Sequence, residues 1–275
     1  MRSNLMMSSM NILCTNDDGY GSEGIQALTK VGQQLGRVRV VAPANQQSTM
    51  SNALTLHTPI PSTKVQEDFI VDGTPADCVI MATNKLIAGR LDLCLSGINH
   101  GANMGEDVFY SGTVAGAMEA ALAGIPSLAF SYTGTTVSKL ADWHDVLVKL
   151  ISDMLDDDIF DQGLLYNVNL PDKNPAYTKG IRFTCLGSRR YNNSIARVAI
   201  TTGESRLIAP NSKTLKPDNA VRKQCQAPKV SKLTMRSIFQ ETGLSRSRDP
   251  CVRSSCSAVK FINRAAVTKL ISRRL

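Results

Sequence analysis

Two carboxylates stand side by side in CTNDDGYG, residues 14–21, directly after a short apolar run. Adjacent like charges repel unless a cation lies beside them, so Asp17 and Asp18 are candidate metal ligands and candidate catalytic groups. Oxygen donors such as Asp, Ser and Asn suit Mg²⁺, Mn²⁺ or Ca²⁺, and no Cys or His cluster lies nearby for zinc. The alternative is structural: Asp17 or Asp18 caps the next helix or forms an Asx turn before Gly19. A second stretch, FYSGTVAGAMEAALAG (109–124), puts Ser111, Gly112 and Thr113 before or at a helix start. Free backbone N–H groups and the positive end of the helix dipole attract an anion there, and Gly112 would let a phosphate approach the backbone. An ordinary Ser or Thr N-cap explains the same residues. The glycines of GINHGANMG (97–105) form neither a Walker A loop nor a GxGxxG fingerprint, which leaves a dinucleotide-dependent oxidoreductase without support.

The elements that must hold these residues alternate. NILC, ending at Cys14, reads as a strand, and in SEGIQALTKVGQQL the residues Ile25, Leu28, Val31 and Leu35 fall at helical spacing. VRVVAP (38–43) and FIVDG (69–73) read as strands, and ADCVIMATNKLI (76–87) as a helix opened by Pro75. LDLCLSG (91–97) is a strand running into the glycine-rich loop, TVAGAMEAALAG a helix stopped near Gly124, and PSLAFS (126–131) a strand. WHDVLVKLISDML follows as a helix and LLYNVNLP (164–171) as a strand. Such alternation predicts a Rossmann-like α/β fold, a mostly parallel sheet flanked by helices. Ligands bind outside the carboxyl ends of such strands, so Asp17, Asp18, the APANQQSTMSN loop and the SGINHGANMG loop should share one edge.

The chain has 275 residues, enough for one main domain with an appendage. No apolar run approaches the ~18 residues of a membrane-spanning helix, so a protein without membrane association is expected. Seven cysteines at 14, 78, 94, 185, 225, 251 and 256 show neither CxxC pairs nor zinc spacing, as expected of reduced core thiols in the cytoplasm. The net charge of +8 divides unevenly: residues 1–190 carry 14 Lys and Arg against 19 Asp and Glu, and residues 191–275 carry 17 against 4. A case for nucleic-acid binding from charge therefore concerns the tail alone.

Four motifs in order, TNDDG, AP followed by QQSTMSNALT, GTPADCV, and SGINHGANMGEDVFYSGTVAGAMEAALAGIPSLAFS, strongly resemble the SurE family of stationary-phase survival nucleotidases over about residues 10–190. The resemblance implies a divalent-metal-dependent phosphatase hydrolysing nucleoside 5′- and 3′-monophosphates, with one Mn²⁺ or Mg²⁺ per subunit. It also implies that the ion is held by Asp17, Asp18, Ser48 and Asn99, and that Asn103 and Ser111 to Thr113 contact phosphate. Asn16 would help orient substrate or water, Asp17 would take the proton of the attacking water, and subunits would pair as dimers or tetramers. Aspartyl-phosphate formation is the rival mechanism. A catalytically impaired nucleotide- or nucleic-acid-binding protein with the same pocket is the rival function. His100 stands where the motif expects a small residue and reads as a tolerated loop side chain; His57 and His144 show no partners in sequence. Trp143 reads as packing, and Glu119 as either a buried partner or a surface charge.

Residues 1–9 read as a ragged extension and 191–275 as a divergent, basic, mostly irregular tail. The family's hairpin arm, its GYVSITPL-like strand and its Asp-Thr pair are not legible there. Only VKFINRAAVTKLISRRL recovers helical spacing, through Val259, Ile262, Ala266 and Leu270. A lineage-specific polyanion-binding tail or a disrupted reading frame would account for this, and the abrupt change with few acids favours the second. Reading the coding DNA in the other two frames separates them.

Overall fold

The computed structural model describes residues 10–156, 160, 165–182, 184, 186–187, 196–199 and 205–208. Strand β1 (Asn11–Thr15) lies at the centre of a seven-stranded sheet with β2 (Arg37–Pro43), β3 (Ser62–Val65), β4 (Asp68–Val71), β5 (Leu93–His100), β6 (Ser127–Tyr132) and β7 (Leu165–Leu170). The order is β3-β4-β2-β1-β5-β6-β7. All neighbours pair in parallel except β3 with β4, which form an antiparallel edge ribbon. β3 escapes the sequence reading because STKV is polar and exposed, which suits an edge position but carries no burial signal.

Strand periodicity sorts the core into layers. Ile12 and Cys14 point to one face, where α1 (Glu23–Gln33) and α5 (His144–Asp156) bring Ile25, Leu28, Val31, Leu147 and Ile151. Leu13 points to the other, against Cys78 and Val79 of α2 (Pro75–Met81) and Ala120 of α4 (Gly112–Leu122). Cys14, Cys78 and Cys94 are buried free thiols, as the scattered spacing predicts; the other four cysteines lie outside the described residues. Trp143 packs in the first cluster, as expected. Glu119 is half-buried, and burial raises its carboxyl above the usual range. His57 is exposed, and His144 Nδ1 lies 2.8 Å from Asp145 Oδ1.

The expected helix 76–87 is shorter: α2 ends at Met81 and the backbone widens into a π turn over Ala82–Leu86. Thr83 and Asn84 return side-chain hydrogen bonds to Val79 O and Ile80 O, the competition with the helical ladder that such residues offer. A four-residue helix, α3 (Asp107–Tyr110), interrupts the glycine-rich loop. Within the segment read as irregular, β8 (Ala196–Ala199) and β9 (Ser205–Ile208) pair antiparallel. The helix-like spacing near the end of the chain lies outside the described residues. No helix among those described is long and apolar enough to cross a membrane.

Asp77 joins the long loop after β2 to α2. Its carboxylate accepts from Thr55 N at 2.9 Å, Thr55 Oγ1 at 2.7 Å and Thr74 N at 2.9 Å, while Asp77 N donates to Thr74 Oγ1 in a capping box. Burial alone would raise its carboxyl, but the Thr55 and Thr74 donors outweigh it and hold it below the ordinary 3.8. Asp77→Asn should therefore lower stability by about 2 kcal/mol at neutral pH. A depressed native value contributes stability that is complete above 3.8 and lost as the pH falls through the native value. Thermal melts of both proteins should thus converge on acidification, and a gap that stays constant below pH 3 would exclude the ionised carboxylate as its source.

Candidate metal and phosphate site

The order of strand addition reverses at β1 and β5: the strands after β1 build outward through β2 and β4, whereas β5, β6 and β7 build the other way. Open α/β sheets bind ligands in the crevice at such a switch point, here beyond the carboxyl ends of β1 and β5. Asp17 and Asp18 follow β1, and Asn99 is the penultimate residue of β5. The β5–β6 register slips between Ser96 and Asn99, and Gly97 there adopts φ +131°, a conformation open mainly to glycine. That irregularity comes directly before Asn99, and bulges of this kind beside active sites re-aim side chains.

The two aspartates differ in setting. Asp17 is 4% exposed, and its Oδ1 accepts the hydroxyl of Thr113 in the first turn of α4, with the Thr113 backbone N–H also contributing. Burial pushes the Asp17 carboxyl up to about 6; the Thr113 hydroxyl opposes that rise and the Asp18 charge adds to it. Asp18 is half-buried and accepts from the His100 backbone N–H and, at 3.3 Å, from Gln46 Nε2. Burial raises its carboxyl as well. The His100 side chain is exposed, and both its backbone N–H and its charge oppose the rise at Asp18.

The loop after β2 closes over the same point. Gln47 N donates to Asp17 O at 2.7 Å, and Gln46 Nε2 reaches both Asp18 Oδ1 and Ser48 Oγ, the latter at 2.9 Å. Gln46 escapes the sequence reading; its signal is its place two residues before Ser48 in QQST. Its amide nitrogen holds a partial positive charge between two oxygens that a cation would share. Asn99 Nδ2 donates to Gly101 O at 2.8 Å, which commits the nitrogen and not Oδ1. Asp17, Asp18, Ser48 and Asn99 all offer oxygen, and burial raises both carboxylates, a shift that a divalent ion beside them would oppose. That fits Mg²⁺ or Mn²⁺. Among the described residues no three His, Cys, Asp or Glu side chains gather into a metal group, so the balance here would rest on two carboxylates and neutral oxygens.

Three of the residues read as substrate- or phosphate-facing make hydrogen bonds within the protein. Thr113 directs its hydroxyl to Asp17, not into open space. Ser111 is the N-cap of α4 and accepts from Val114 N at 3.1 Å. Asn16 is 1% exposed and gives its amide hydrogens to Gly19 O at 2.9 Å and Ser22 Oγ at 2.8 Å, bracing the loop before α1. Gly112 sits against Asp17, and Asn103 is 5% exposed in the loop after β5.

The family model described as "Survival protein SurE" matches residues 12–193, about two thirds of the chain. The chain belongs to the SurE family. A SurE relative from Gemmatimonas aurantiaca, named 5′-nucleotidase SurE, is 44% identical over 193 residues, covering 69% of this chain and 77% of its own length. One of the same name from Marinomonas sp. is 47% identical over 184 residues, covering 66% and 72%. The solved SurE protein from Aquifex aeolicus superposes with a TM-score of 0.64 at 38% identity, covering 73% of this chain and 82% of its own. SurE membership covers the sheet and the whole switch-point crevice, and it ends where the basic segment begins.

Proposed function

We propose that this chain is a divalent-metal-dependent 5′-nucleotidase, hydrolysing nucleoside 5′- and 3′-monophosphates to nucleoside and phosphate. The observation that carries this reading is that Gln46 bridges Asp18 and Ser48, the His100 backbone N–H next to Asn99 reaches Asp18, and Asp17 meets Thr113 at the start of α4. The names of the relatives support the substrate class. So do Phe109 and Tyr110, exposed aromatic rings directly before Ser111 that offer a nucleoside an apolar surface.

When bound, a divalent ion polarises a phosphoryl oxygen and acidifies water. Asp17, Asp18, Ser48 Oγ and Asn99 Oδ1 would hold it. The backbone N–H of Gly112 and the side chain of Asn103 stabilise charge on the transferring group, Ser111 and Thr113 fix the first turn of α4, and Asn16 keeps the loop in shape. Asp17 takes the proton of the attacking water. A new bond forms from water oxygen to phosphorus, the ester bond to the ribose oxygen breaks, and the proton leaves with the alkoxide as nucleoside. Trapping a covalent phosphoenzyme would replace direct water attack with an aspartyl phosphate.

Phosphate release from a nucleoside monophosphate should require Mn²⁺ or Mg²⁺ and stop with chelator. Folded protein that releases phosphate equally with chelator, or not at all with metal, would overturn the reading. The second outcome favours a binding protein acting through the basic tail, whose affinity for nucleic acid would fall steeply with salt. Size-exclusion chromatography with light scattering tests the implied dimer or tetramer.

A further inference from the structure

Strand β7 ends in Asn167, Val168, Asn169 and Leu170, so the two asparagines share a face. On the neighbouring β6, Ala129 lies beside Asn167 and Ser131 beside Asn169. All three polar side chains converge on Asn103. Asn169 Oδ1 accepts from Asn103 N at 2.9 Å while its Nδ2 donates to Asn103 O at 3.1 Å. One side-chain amide thereby makes both bonds that an adjacent strand would offer this residue. Asn167 Nδ2 donates to the same carbonyl at 2.8 Å, and Asn103 Nδ2 donates to Ser131 Oγ at 2.9 Å.

This attachment is lopsided. Residues 102–104 have no regular secondary structure, and the described backbone bonds around them are Gly101 N to Tyr132 O and Asp107 N to Met104 O. Asn103 is thus held from strands 28 and 66 residues away in sequence rather than by its own loop.

We propose that Asn167 and Asn169 are positioning residues: they hold the Asn103 backbone so that its side chain, bonded to Ser131, is set for contact with the transferring phosphoryl group. This rests on the nucleotidase reading, in which Asn103 makes that contact. The clamp restrains backbone and side chain together, so one remaining Nδ2 hydrogen of Asn103 points in a set direction. A loop residue without it would sample orientations and lose the contact for much of the time.

The test is a double-mutant cycle on the full chain with Mn²⁺ and a nucleoside monophosphate. Asn169→Ala should lower kcat/KM about 30- to 100-fold and weaken competitive inhibition by inorganic phosphate by a similar factor. In an Asn103→Ala background the same change should alter kcat/KM less than about twofold, because no side chain is left to position. Asn167→Ala, which removes one bond, should give a smaller loss of the same pattern and serves if Asn169→Ala fails to fold. Lower thermal stability with unchanged kcat/KM and phosphate inhibition would overturn the proposal, as would a full effect persisting without Asn103. A wild type without metal-dependent release overturns the nucleotidase reading, and the proposal falls with it; an active wild type with a silent clamp overturns the proposal alone.

Discussion

Asp18→Asn is expected to reduce metal-dependent phosphate release about a thousandfold, equivalent to ~4 kcal/mol of transition-state stabilisation. The change keeps shape and volume and removes one negative charge from a donor set that has only two. The fold should not suffer. Asp18 is half-buried, and its donors are a backbone N–H from His100 and the exposed Gln46 amide. Its charge also adds to the rise of the Asp17 carboxyl, so in chelator the variant should melt at the wild-type temperature or slightly above it. Loss of activity with retained or improved stability is the pattern of residues held in an unfavourable state for function. Measuring kcat with Mn²⁺ beside a melt in chelator decides the matter: a variant that retains a tenth of wild-type kcat would remove Asp18 from the metal cradle.

Gly112→Ala should damage both properties. A Cβ at this position would lie 2.7 Å from Asp17 Cβ, closer than real contacts allow, and 3.0 Å from Asp17 Oδ2. Asp17 has little room to withdraw, because Thr113 holds its carboxylate and Gln47 N holds its carbonyl at 2.7 Å. Either α4 retreats or the aspartate turns, at a cost of about 1–3 kcal/mol. A shift of about 1 Å at this point should also lower kcat roughly a hundredfold. Gly21→Ala is the matched control, since nothing lies within 4 Å of its Cβ position. Urea unfolding and steady-state kinetics on both variants suffice. Equal behaviour of the two would show that the approach of α4 to Asp17 is not required.

Much of the scaffold was readable before any coordinates. Ile25, Leu28, Val31 and Leu35 mark one helix face, and all are buried against β1 and its neighbours. Pro75 and Gly124 bracket helices through local backbone preferences, and both predictions hold to within a residue or two. β3 and the π turn after α2 were not readable, for opposite reasons. An edge strand of polar residues lacks a burial pattern, and Thr83 and Asn84 look like tolerable helix residues until their side chains take the backbone carbonyls.

The site divides in the same way. Residue types alone determined that this chain carries oxygen donors at the carboxyl ends of strands, because ligand chemistry depends on composition and the strand–loop alternation is local. The tertiary structure decided which aspartate is buried, since Asp17 meets Thr113 across 96 residues of sequence. It decided that the Asp17 carboxylate lies against the start of α4, that Gln46 bridges Asp18 and Ser48, and that Asn103 is held by β6 and β7. Each of these is a contact between segments distant in sequence. Such contacts follow from strand order and from a close helix approach at Gly112, and neither leaves a periodic trace in the residues that make them.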